Sequence, residues 1–406
     1  MPLVPLDDAR AYVLGCCAPL APVEVPLADA LGRVAAVATV AAEDVPPFDN
    51  SAMDGFAVRA ADTATAPVTL AVVGALAAGD VPDAEVGPGQ AVRIMTGAPV
   101  PPGADAVVMV ERTAPADGGR SVVVQVAVTP GTALRRAGDD LRPGDVVVEP
   151  GGVLAPGHLG VLASLGVERA CVFPPARVGV LSTGDELVTG ATTLRPGQIR
   201  DSNRPTLLAL VAQTGCQPVD LGTVADDAEL LGDAFRQAAA SCDAVVTSGG
   251  VSMGDFDLVK VVLDRLGDMR WMQVAIKPAK PLAFGTVAGT PVFGLPGNPV
   301  SSMVSYELFA RPALRKMMGF PPAECGRTVV PAVAHDGLGR RPDGKVHFVR
   351  VSASMGSDGR YRVRSAGAQG SHQLAAMAAA NALAVLPDGD GVAAGSLVET
   401  ILLTGP

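Results

Sequence analysis

The region from residue 176 to 318 alternates short apolar strands with amphipathic helices, and this alternation constrains the fold most. Val178–Leu181 reads as a strand before a helix at Pro205–Gln213, and Val219–Leu221 before a helix at Asp227–Ala240. Such alternation is typical of a parallel sheet with helices on both faces. The pattern continues with predicted strands at Ala244–Thr247, Met272–Ile276 and Leu282–Val287 and a predicted helix at Leu258–Leu266. We therefore predict a three-layer α/β domain over residues 177–326.

The regions on either side have different patterns. Residues 1–45 are predicted to be helical, at Leu6–Leu14 and Leu27–Ala42, and residues 142–176 contain loops and a helix at His158–Gly166. We expect these two segments to form one discontinuous helical/linker domain. The other regions contain short predicted strands between Gly/Pro-rich turns: Val68–Val73, Ala91–Met95, Ala106–Val110, Ser121–Val128, Val329–Val333, Val346–Ala353, Tyr361–Val363, Ala382–Leu386 and Val398–Leu402. They predict a β-rich inserted domain at 46–141 and a small β-barrel or sandwich at 327–406.

Composition narrows the classes of function. A formal net charge of −10 and an aromatic content of 3% argue against a nucleic acid partner. The longest apolar run, Leu374–Leu386, is interrupted by Asn381 and is too short to span a membrane. The amino terminus does not resemble a signal peptide, and the six cysteines include no CxxC pair. We expect a cytoplasmic protein with reduced thiols and no zinc site.

The stretch TSGGVSMGDFD, residues 247–257, is the most informative for chemistry. It follows a predicted strand, and ligands of open α/β sheets bind at the carboxyl ends of strands. Glycines let backbone N–H groups approach phosphate closely, so we predict substrate contacts at Ser248, Gly249, Gly250 and Ser252. The carboxylates at the end of the stretch suit Mg²⁺. From this stretch alone, a tight turn followed by a helix cap explains the residues equally well.

A second loop, GLPGNPVSS at residues 294–302, ends a predicted strand and opens a helix. Asn298 suits the N-cap position of that helix, so the loop needs no function to explain it. A third loop, STGDE, lies at residues 182–186. If the strands are parallel, all three loops converge on one sheet edge. This convergence favours a nucleotide or phosphorylated substrate, with contacts that include Pro296, Gly297 and Asn298.

Two lysines follow another predicted strand, in the segment IKPAKP at residues 276–281. Lys277 and Lys280 are separated by a proline-stiffened segment and can clamp an oxyanion as point charges. A solvated loop is the usual explanation for lone lysines. Their position beside the phosphate-type loops favours the anion-binding interpretation.

Further polar loops lie far away in sequence, in the β-rich region. PPFDNSAMDGFA, residues 46–57, carries Asp49 and Asp54 without a hydrophobic period, and alone it is explained by a turn with Asx hydrogen bonds. Similar polar loops occur at MTGAP, residues 95–99, and at RRAGDD, residues 135–140. The residues alone do not show that these loops meet those of the α/β domain.

Together these stretches resemble the molybdopterin molybdenumtransferase family, called MoeA in bacteria and found as the carboxy-terminal part of gephyrin in animals. Seven motifs match in order over nearly the whole chain: PPFDNSAMDGFAV from Pro46, MTGAPVPPGADAVVMVE from Met95, LSTGDEL from Leu181, GQIRDSN from Gly197, TSGGVSMGDFD from Thr247, KPAKPLAFG from Lys277 and GLPGNPVSS from Gly294. The carboxy-terminal region matches more weakly, through an FxR element at Phe348 and Arg350 and a Gly-Ser element at Gly370 and Ser371. Val351 stands where the family often has Gly.

The resemblance implies a four-domain, elongated homodimer with a MogA-like α/β domain, whose sites lie between one subunit's α/β domain and its partner's β regions. It also implies insertion of molybdate into adenylylated molybdopterin, with Mg²⁺ assistance and release of AMP. The implied site residues are acidic positions at Asp54, Asp140, Glu186, Asp226 and Asp257 with Thr96 beside them, metal ligands at Glu186 and Asp257, and oxyanion contacts at Lys277, Lys280, Arg350 and Ser371. Molybdate is a tetrahedral dianion that suits Lys, Arg and Ser donors. Other cofactor-biosynthesis proteins are possible partners.

Two other functions stay open at this point. An adenylyltransferase that charges molybdopterin with ATP shares the α/β domain, but such enzymes are much shorter and lack the FDNSAMDG stretch. A scaffold, as gephyrin is at synapses, is disfavoured because the sequence suggests no fused partner domain or long disordered linker. AMP release on molybdate addition indicates the transferase, ATP consumption the adenylyltransferase, and neither the scaffold.

Overall fold

The computed structural model describes residues 2–83, 85–250 and 258–404. The chain begins with helix α1 (Leu6–Cys16) and continues through two short strands, β1 (Val23–Pro26) and β2 (Thr39–Val40). The helix predicted at Leu6–Leu14 is confirmed. The helix predicted at Leu27–Ala42 is wrong, since only one 3₁₀ turn, Leu27–Asp29, forms there.

Contacts with distant segments override helix propensity in this alanine-rich stretch. The backbone N–H groups of Ala35 and Ala41 donate to the carbonyls of Gly152 and Asp145, each at 2.9 Å, instead of to carbonyls one helical turn earlier. Helix propensity is a weak preference that such tertiary pairing outweighs.

Residues 50–135 form a β-rich unit. Its strands are β3 (Asn50–Ser51), β4 (Gly55–Val58), β5 (Val68–Leu76), β6 (Gln90–Ile94), β7 (Ala106–Met109), β8 (Thr113–Ala116), β9 (Ser121–Val124) and β10 (Leu134–Arg135). Six of them form one sheet in the order β7-β4-β6-β5-β9-β8, and β3 pairs with β10. The four strands predicted in this region are confirmed. Buried Leu70, Val108 and Val122 pack together in its core.

The chain then returns to its first segment through β11 (Val146–Val148), α2 (Pro156–Ser164) and β12 (Arg169–Val172). β1 pairs with β12 and β2 with β11, both antiparallel. The core that these pairs share includes buried Leu162 and Val172. The helix predicted at His158–Gly166 is confirmed as α2.

Residues 177–325 form the α/β domain. Its elements are β13 (Arg177–Thr183), β14 (Leu187–Val188), β15 (Ile199–Arg200), α3 (Asn203–Gln213), β16 (Gln217–Val224), α4 (Ala228–Ser241), β17 (Ala244–Ser248), α5 (Leu258–Leu266), β18 (Gly267–Gln273), β19 (Ile276–Lys277), β20 (Pro281–Val287), β21 (Thr290–Leu295), α6 (Pro299–Ser305), α7 (Arg311–Met317) and α8 (Pro322–Cys325). A π-helical turn, Tyr306–Ala310, joins α6 to α7. The sheet has the order β16-β13-β17-β21-β20-β18, which confirms the predicted α/β fold.

The prediction of a wholly parallel sheet is wrong for two strands. β16, β13, β17 and β21 are parallel, whereas β20 and β18 are antiparallel to their neighbours. Only Ala288 and Gly289 connect β20 to β21, and so short a connection joins antiparallel strands. Both residues have positive φ, 50° and 86°, as in a type I′ hairpin turn.

Helices cover both faces of the sheet. On one face α3, α6 and α7 pack together with α1, around buried Phe284 and Phe293. On the other face α4 and α5 pack around Phe235 and Val262. The two apolar layers fix the sheet between them, so the loops that follow its strands begin from rigid positions.

The chain ends in a small barrel. Its elements are β22 (Val329–Ala334), β23 (Leu338–Gly339), β24 (Val346–Met355), β25 (Tyr361–Ser365), α9 (Leu374–Ala378), β26 (Ala382–Leu386), β27 (Gly391–Val392) and β28 (Leu397–Leu402). β24, β25, β22, β28 and β26 are bonded in that order, and β26 pairs back onto β24, which closes the barrel. The predicted strands and barrel are confirmed. Within the described ranges, no helix has both the length and the apolar character needed to cross a membrane.

Candidate functional site

A cleft of about 1030 Å³ lies at the carboxyl edge of the α/β sheet. β13, β17 and β21 are parallel neighbours, so the loops after Thr183, Ser248 and Leu295 emerge at the same edge. β19 pairs in parallel with β24, which brings the lysine-bearing segment and the barrel region to the same cleft. Ten of the residues proposed from the sequence line it: Glu186, Asp226, Gly249, Gly250, Lys277, Lys280, Pro296, Gly297, Asn298 and Ser371.

Glycines shape the floor of the cleft, by which we mean the loops that follow β17 and β21. Gly249 and Gly250 have φ values of 96° and 67°, a left-handed conformation that favours glycine. A Cβ atom at Gly297 would lie 3.7 Å from the Cα of Gly249, so the two loops are nearly in contact. They present backbone instead of bulky side chains, as loops that bind phosphate do.

Asn298 occupies the N-cap position of α6, as predicted, but its side chain makes no capping hydrogen bond. Asp227 shows the contrast, because its carboxylate accepts hydrogen bonds from the N–H groups of Glu229 and Leu230 at the start of α4. Asn298 lines the cleft. Helix capping therefore does not account for its side chain, and binding remains as an explanation.

Three of the five lysines in the chain line the cleft: Lys277, Lys280 and Lys345. Between the first two, Ala279 is buried and has a φ of 77°, a conformation that non-glycine residues adopt at a cost and that clusters at functional sites. Lys345 pairs with Asp343, with Nζ 3.3 Å from Oδ2. These ammonium groups make part of the cleft cationic in a chain whose net charge is −10.

Acidic side chains form another part of the cleft. Glu186 and Asp226 line it, and the backbone N–H of Asp226 donates to the carboxylate of Asp185 at 3.1 Å. Partial burial raises the pKa of Asp226, and the charges of Asp185 and Glu186 raise it further. Carboxylates that repel one another in this way are stabilised by a nearby cation.

The described residues of the cleft can supply only some of the ligands that a divalent cation needs. Within residues 2–83, 85–250 and 258–404, no group of three or more His, Cys, Asp or Glu side chains is arranged to hold a metal ion. Mg²⁺ commonly binds one or two carboxylates and takes its other ligands from water and substrate phosphates. Glu186 and Asp226 fit such a site. Asp257, the second expected metal ligand, and Ser252 lie outside the described residues.

Ser248 lies behind the floor instead of lining the cleft. It is 2% exposed, and its hydroxyl donates to the Pro296 carbonyl at 3.2 Å. The same hydroxyl accepts a hydrogen bond from the amide of Asn203 at 2.8 Å. This hydroxyl therefore forms its hydrogen bonds with other groups of the protein.

Arg350 is fully buried in the barrel. Its Nη2 donates to the carbonyls of Ala368 and Gly370, at 2.6 and 3.1 Å. These bonds hold in place the loop in which Ser371 lines the cleft. Its Nε and Nη1 have no hydrogen-bond partner among the described residues. Burial lowers the pKa of this guanidinium, although arginine stays charged in proteins.

The polar loops of the β-rich unit converge on one another. Thr96 donates to Asp54 through its backbone N–H and its hydroxyl, each 2.8 Å from Oδ1, and these bonds lower the pKa of Asp54. The N–H of Asp140 donates to the Val45 carbonyl at 2.9 Å, just before the loop that carries Asp54. None of the described residues that line the cleft comes from this unit.

Asp49 joins two of these loops. Its carboxylate accepts a hydrogen bond from the Ala137 N–H at 2.9 Å and pairs with Arg136. Both contacts lower the pKa of Asp49. Within the loop itself, the turn-type hydrogen bonds come from Asn50, whose amide donates to the Phe48 carbonyl, and from Ser51, whose hydroxyl bonds to Met53. The carboxylate of Asp54 bonds only to Thr96 among the hydrogen-bond partners described.

Sequence reasoning missed three residues of this region. Lys345 carries the third cationic side chain, and the scarcity of lysine in the chain was a signal that could have identified it. Asp185 adds a carboxylate beside Asp226, and the STGDE stretch already contained it. Asn203 bonds to both floor loops, and it belongs to the GQIRDSN motif, from which no role was predicted.

The fold and the cleft define a class: multidomain α/β proteins with glycine-lined loops and lysines, groups that suit an anionic ligand, in a cleft at the strand ends. Three family models match the chain: the MoeA N-terminal region (domain I and II) at residues 4–166, a probable molybdopterin binding domain at 179–316 and the MoeA C-terminal region (domain IV) at 332–403. The chain belongs to the MoeA family of molybdopterin molybdenumtransferases, which are transferases of molybdenum cofactor biosynthesis.

Similar proteins match over nearly their full length. A molybdopterin molybdenumtransferase of Haemophilus influenzae is 38% identical over 403 residues, which cover 98% of each chain. Molybdopterin molybdenumtransferase 2 of Mycobacterium tuberculosis is 42% identical over 396 residues, 94% of this chain and 95% of the relative. The crystal structure of a molybdopterin biosynthesis MoeA protein from Pyrococcus horikoshii superposes with a TM-score of 0.83 at 31% identity and covers 100% of both chains.

Proposed function

We propose that the protein inserts molybdate into adenylylated molybdopterin with the assistance of Mg²⁺ and releases AMP, in the last step of molybdenum cofactor synthesis. One observation carries the proposal: phosphate-type loops, three lysines and crowded carboxylates meet in a single cleft. A substrate with both a phosphate linkage and an incoming oxyanion needs these three kinds of group together.

The floor holds the nucleotide-linked part of the substrate. Backbone N–H groups near Gly250 and Gly297 and the uncapped amide of Asn298 supply donors for phosphate oxygens. Rigid strand ends position these donors before the substrate arrives, so their orientation costs little when charge develops on the phosphate.

The cationic part of the cleft holds molybdate. Lys277 and Lys280 supply positive charge, and Ser371 supplies a hydroxyl donor, which suits a tetrahedral dianion. Arg350 supports this role through its bonds to the loop that carries Ser371 and through two guanidinium nitrogens without a described partner. The lysines and the acidic residues occupy different parts of the cleft, so the two anions can bind near each other.

Glu186 and Asp226 would hold the divalent cation, together with Asp257, which lies outside the described residues. When bound, the cation neutralises charge on the phosphate oxygens of the adenylate. The residues of this chain supply its carboxylate ligands and leave the remaining positions to water and substrate. Burial, followed by the charges of Asp185 and Glu186, raises the pKa of Asp226, and a bound cation would offset that repulsion.

A second copy of the chain completes the site. Asp54, Thr96 and Asp140 are exposed in or next to the β-rich unit, and Thr96 bonds to Asp54, yet none of the three lines the cleft of its own chain. Exposed apolar residues lie close to Asp54 and Thr96 in sequence: the side chains of Phe48, Met53 and Met95 are 45%, 48% and 37% exposed, respectively. Contact with a second copy of the chain would bury this apolar surface. A homodimer therefore presents these residues to the partner's cleft.

We assign this reaction to the cytoplasm, where thiols stay reduced, because all six cysteines are free. Direct transfer of the product to other cofactor-biosynthesis proteins is a further part of the proposal. No membrane or nucleic acid partner is included in it.

The experiment is a single-turnover assay with purified protein, adenylylated molybdopterin and Mg²⁺. We expect stoichiometric AMP release when molybdate is added, and none with sulfate as a matched tetrahedral dianion. ATP consumption with free molybdopterin would indicate an adenylyltransferase instead. Absence of both activities would overturn the proposed function in favour of a scaffold.

A further inference from the structure

We infer that Asn203 is a positioning residue: its side-chain amide joins the two loops of the cleft floor and sets the geometry in which the nucleotide-linked substrate binds. The identity of that substrate rests on the proposed function. The coupling of the two loops rests on the geometry alone, so the two parts can fail separately.

The amide of Asn203 directs both N–H donors at the floor. Its Nδ2 lies 2.8 Å from Oγ of Ser248 and 2.6 Å from the carbonyl oxygen of Gly297. Ser248 ends β17 and Gly297 follows β21, so one side chain bridges the ends of two adjacent parallel strands. Gly297, which accepts one of these bonds, and Gly249, which follows Ser248, both line the cleft.

Ser248 extends the bridge into the protein interior. Its hydroxyl lies 3.2 Å from the Pro296 carbonyl and 3.4 Å from the hydroxyl of Ser302, at the start of α6. Ser248 and Ser302 are 2% and 1% exposed. Hydrogen bonds shielded from water in this way leave a buried group unsatisfied when one partner is lost, which is their main cost.

The helical turn that carries Asn203 is itself fixed. Asp201 accepts a hydrogen bond from the Arg204 N–H at 3.0 Å and pairs with its guanidinium, which also pairs with Asp220. The N–H of Asp201 donates to the Val188 carbonyl at 3.1 Å. Asn203 is therefore held between the β14–β15 segment and the floor. The charged side chains of this turn are Asp201 and Arg204, and the Arg204 guanidinium is shared between Asp201 and Asp220.

The two acceptors make an amide the required side chain at position 203. Both N–H groups of one nitrogen are used, and neither a hydroxyl nor a carboxylate can supply two donors. Aspartate has nearly the same shape, but it would place a charged oxygen beside the Gly297 carbonyl oxygen. Its protonated form would recover one donor.

The test measures the Kd for adenylylated molybdopterin with Mg²⁺ and without molybdate, so that no turnover occurs. We expect Asn203→Ala to weaken binding about 10- to 100-fold, the range for loss of a hydrogen bond that leaves buried partners unsatisfied, without changing the molybdate KM. Thr206→Ala is the matched control, because it removes a hydrogen bond to the Ser202 carbonyl on the same helix without touching the floor. We expect its Kd to equal that of the unmodified protein.

Asn203→Asp separates positioning from a general loss of folding. At pH 8 its Kd should exceed that of Asn203→Ala, because the carboxylate repels the Gly297 carbonyl. Partial burial beside the Gly297 carbonyl raises the pKa of the introduced carboxyl, so its Kd relative to the unmodified protein should recover as the pH falls from 8 to 5, whereas the same ratio for Asn203→Ala should stay constant. Hydrogen exchange at the amides of Gly297 and Asn298 should quicken in Asn203→Ala and not in Thr206→Ala.

The inference is overturned if Asn203→Ala binds as tightly as the unmodified protein, or if both Asn203 variants weaken binding equally at every pH with unchanged exchange at the floor. If the unmodified protein itself does not bind adenylylated molybdopterin, the proposed function fails. Hydrogen exchange then still decides whether Asn203 couples the two loops.

Discussion

Both hydrogen bonds from Thr96 to Asp54 end on the same carboxylate oxygen, Oδ1, at 2.8 Å. They favour the ionised form, and the pKa of Asp54 lies below its usual value. Thr96 therefore holds an exposed carboxylate in one orientation and keeps it charged. An exposed loop without a function would not require a carboxylate held in a fixed orientation.

Replacement of Thr96 by valine should shift the pH dependence of turnover. A lowered pKa keeps Asp54 ionised as the pH falls, and removal of the hydroxyl raises that pKa towards its usual value. The acid limb of kcat/KM should therefore move to higher pH in Thr96→Val. Thr113→Val, which removes a hydroxyl bond to the Val110 carbonyl in the same unit, should leave the limb in place. Identical acid limbs in Thr96→Val and unmodified protein would show that Asp54 does not act in turnover.

Removal of both lysines from the IKPAKP segment should raise the molybdate concentration needed for AMP release. Each ammonium group that bonds an oxyanion contributes about 1.5–3 kcal/mol, so Lys277→Ala with Lys280→Ala should raise the molybdate KM at least about tenfold. The matched control, Arg236→Ala with Arg362→Ala, removes two positive charges from exposed pairs elsewhere. An unchanged molybdate KM in the lysine variant would exclude these residues from the site.

Arg340 organises the loop that carries Lys345. Its side chain is 2% exposed, and its guanidinium bonds the carbonyls of Lys345, Leu386 and Pro387 and the carboxylates of Asp343 and Asp388. Arg340→Ala should lower the free energy of unfolding of the barrel by about 2–4 kcal/mol, because it leaves these acceptors without their partner.

Urea denaturation of Arg340→Ala and Arg362→Ala provides the comparison. Arg362 forms a surface pair with Asp358, and such pairs contribute about 0–1 kcal/mol. Equal midpoints for the two variants would refute the role of Arg340. A raised molybdate KM in Arg340→Ala should accompany the loss of stability, since Lys345 would lose its support.

The sequence predicted those parts of the fold that local patterns determine. Apolar runs such as Val178–Leu181 and Ala244–Thr247 became β13 and β17 because strands buried on both faces are continuously apolar. The predicted helix at Leu27–Ala42 failed because carbonyls more than 100 residues away accept its N–H groups. The antiparallel direction of β20 depended on a two-residue turn at Ala288 and Gly289 without the usual Asn-Gly signature.

The sequence predicted which loops form the candidate site, but it predicted less well the contacts that their side chains make. Motif spacing identified the strand-end loops, and parallel strands then brought Gly249 and Gly297 together. The motifs did not show which side chains form hydrogen bonds within the protein and which face the cleft. Ser248 bonds to another protein group, and Arg350 is buried. Asp54 does not line the cleft of its own chain, and the motifs of a single sequence carry no information about contacts with a second copy.

We propose that Asp54 of one chain acts in the cleft of another, and a heterodimer with two tags tests this arrangement. One chain carries Asp54→Ala and the other Glu186→Ala, so a composite site regains both residues in one of the two clefts of a twofold dimer. We expect about half the unmodified activity per dimer, with each parent homodimer inactive.

The mirror heterodimer pairs an unmodified chain with a chain that carries both substitutions, so that each composite site lacks one residue. We expect AMP release from the first heterodimer and none from the mirror. AMP release from the mirror and none from the first would contradict this arrangement, because the site would then lie within a single chain.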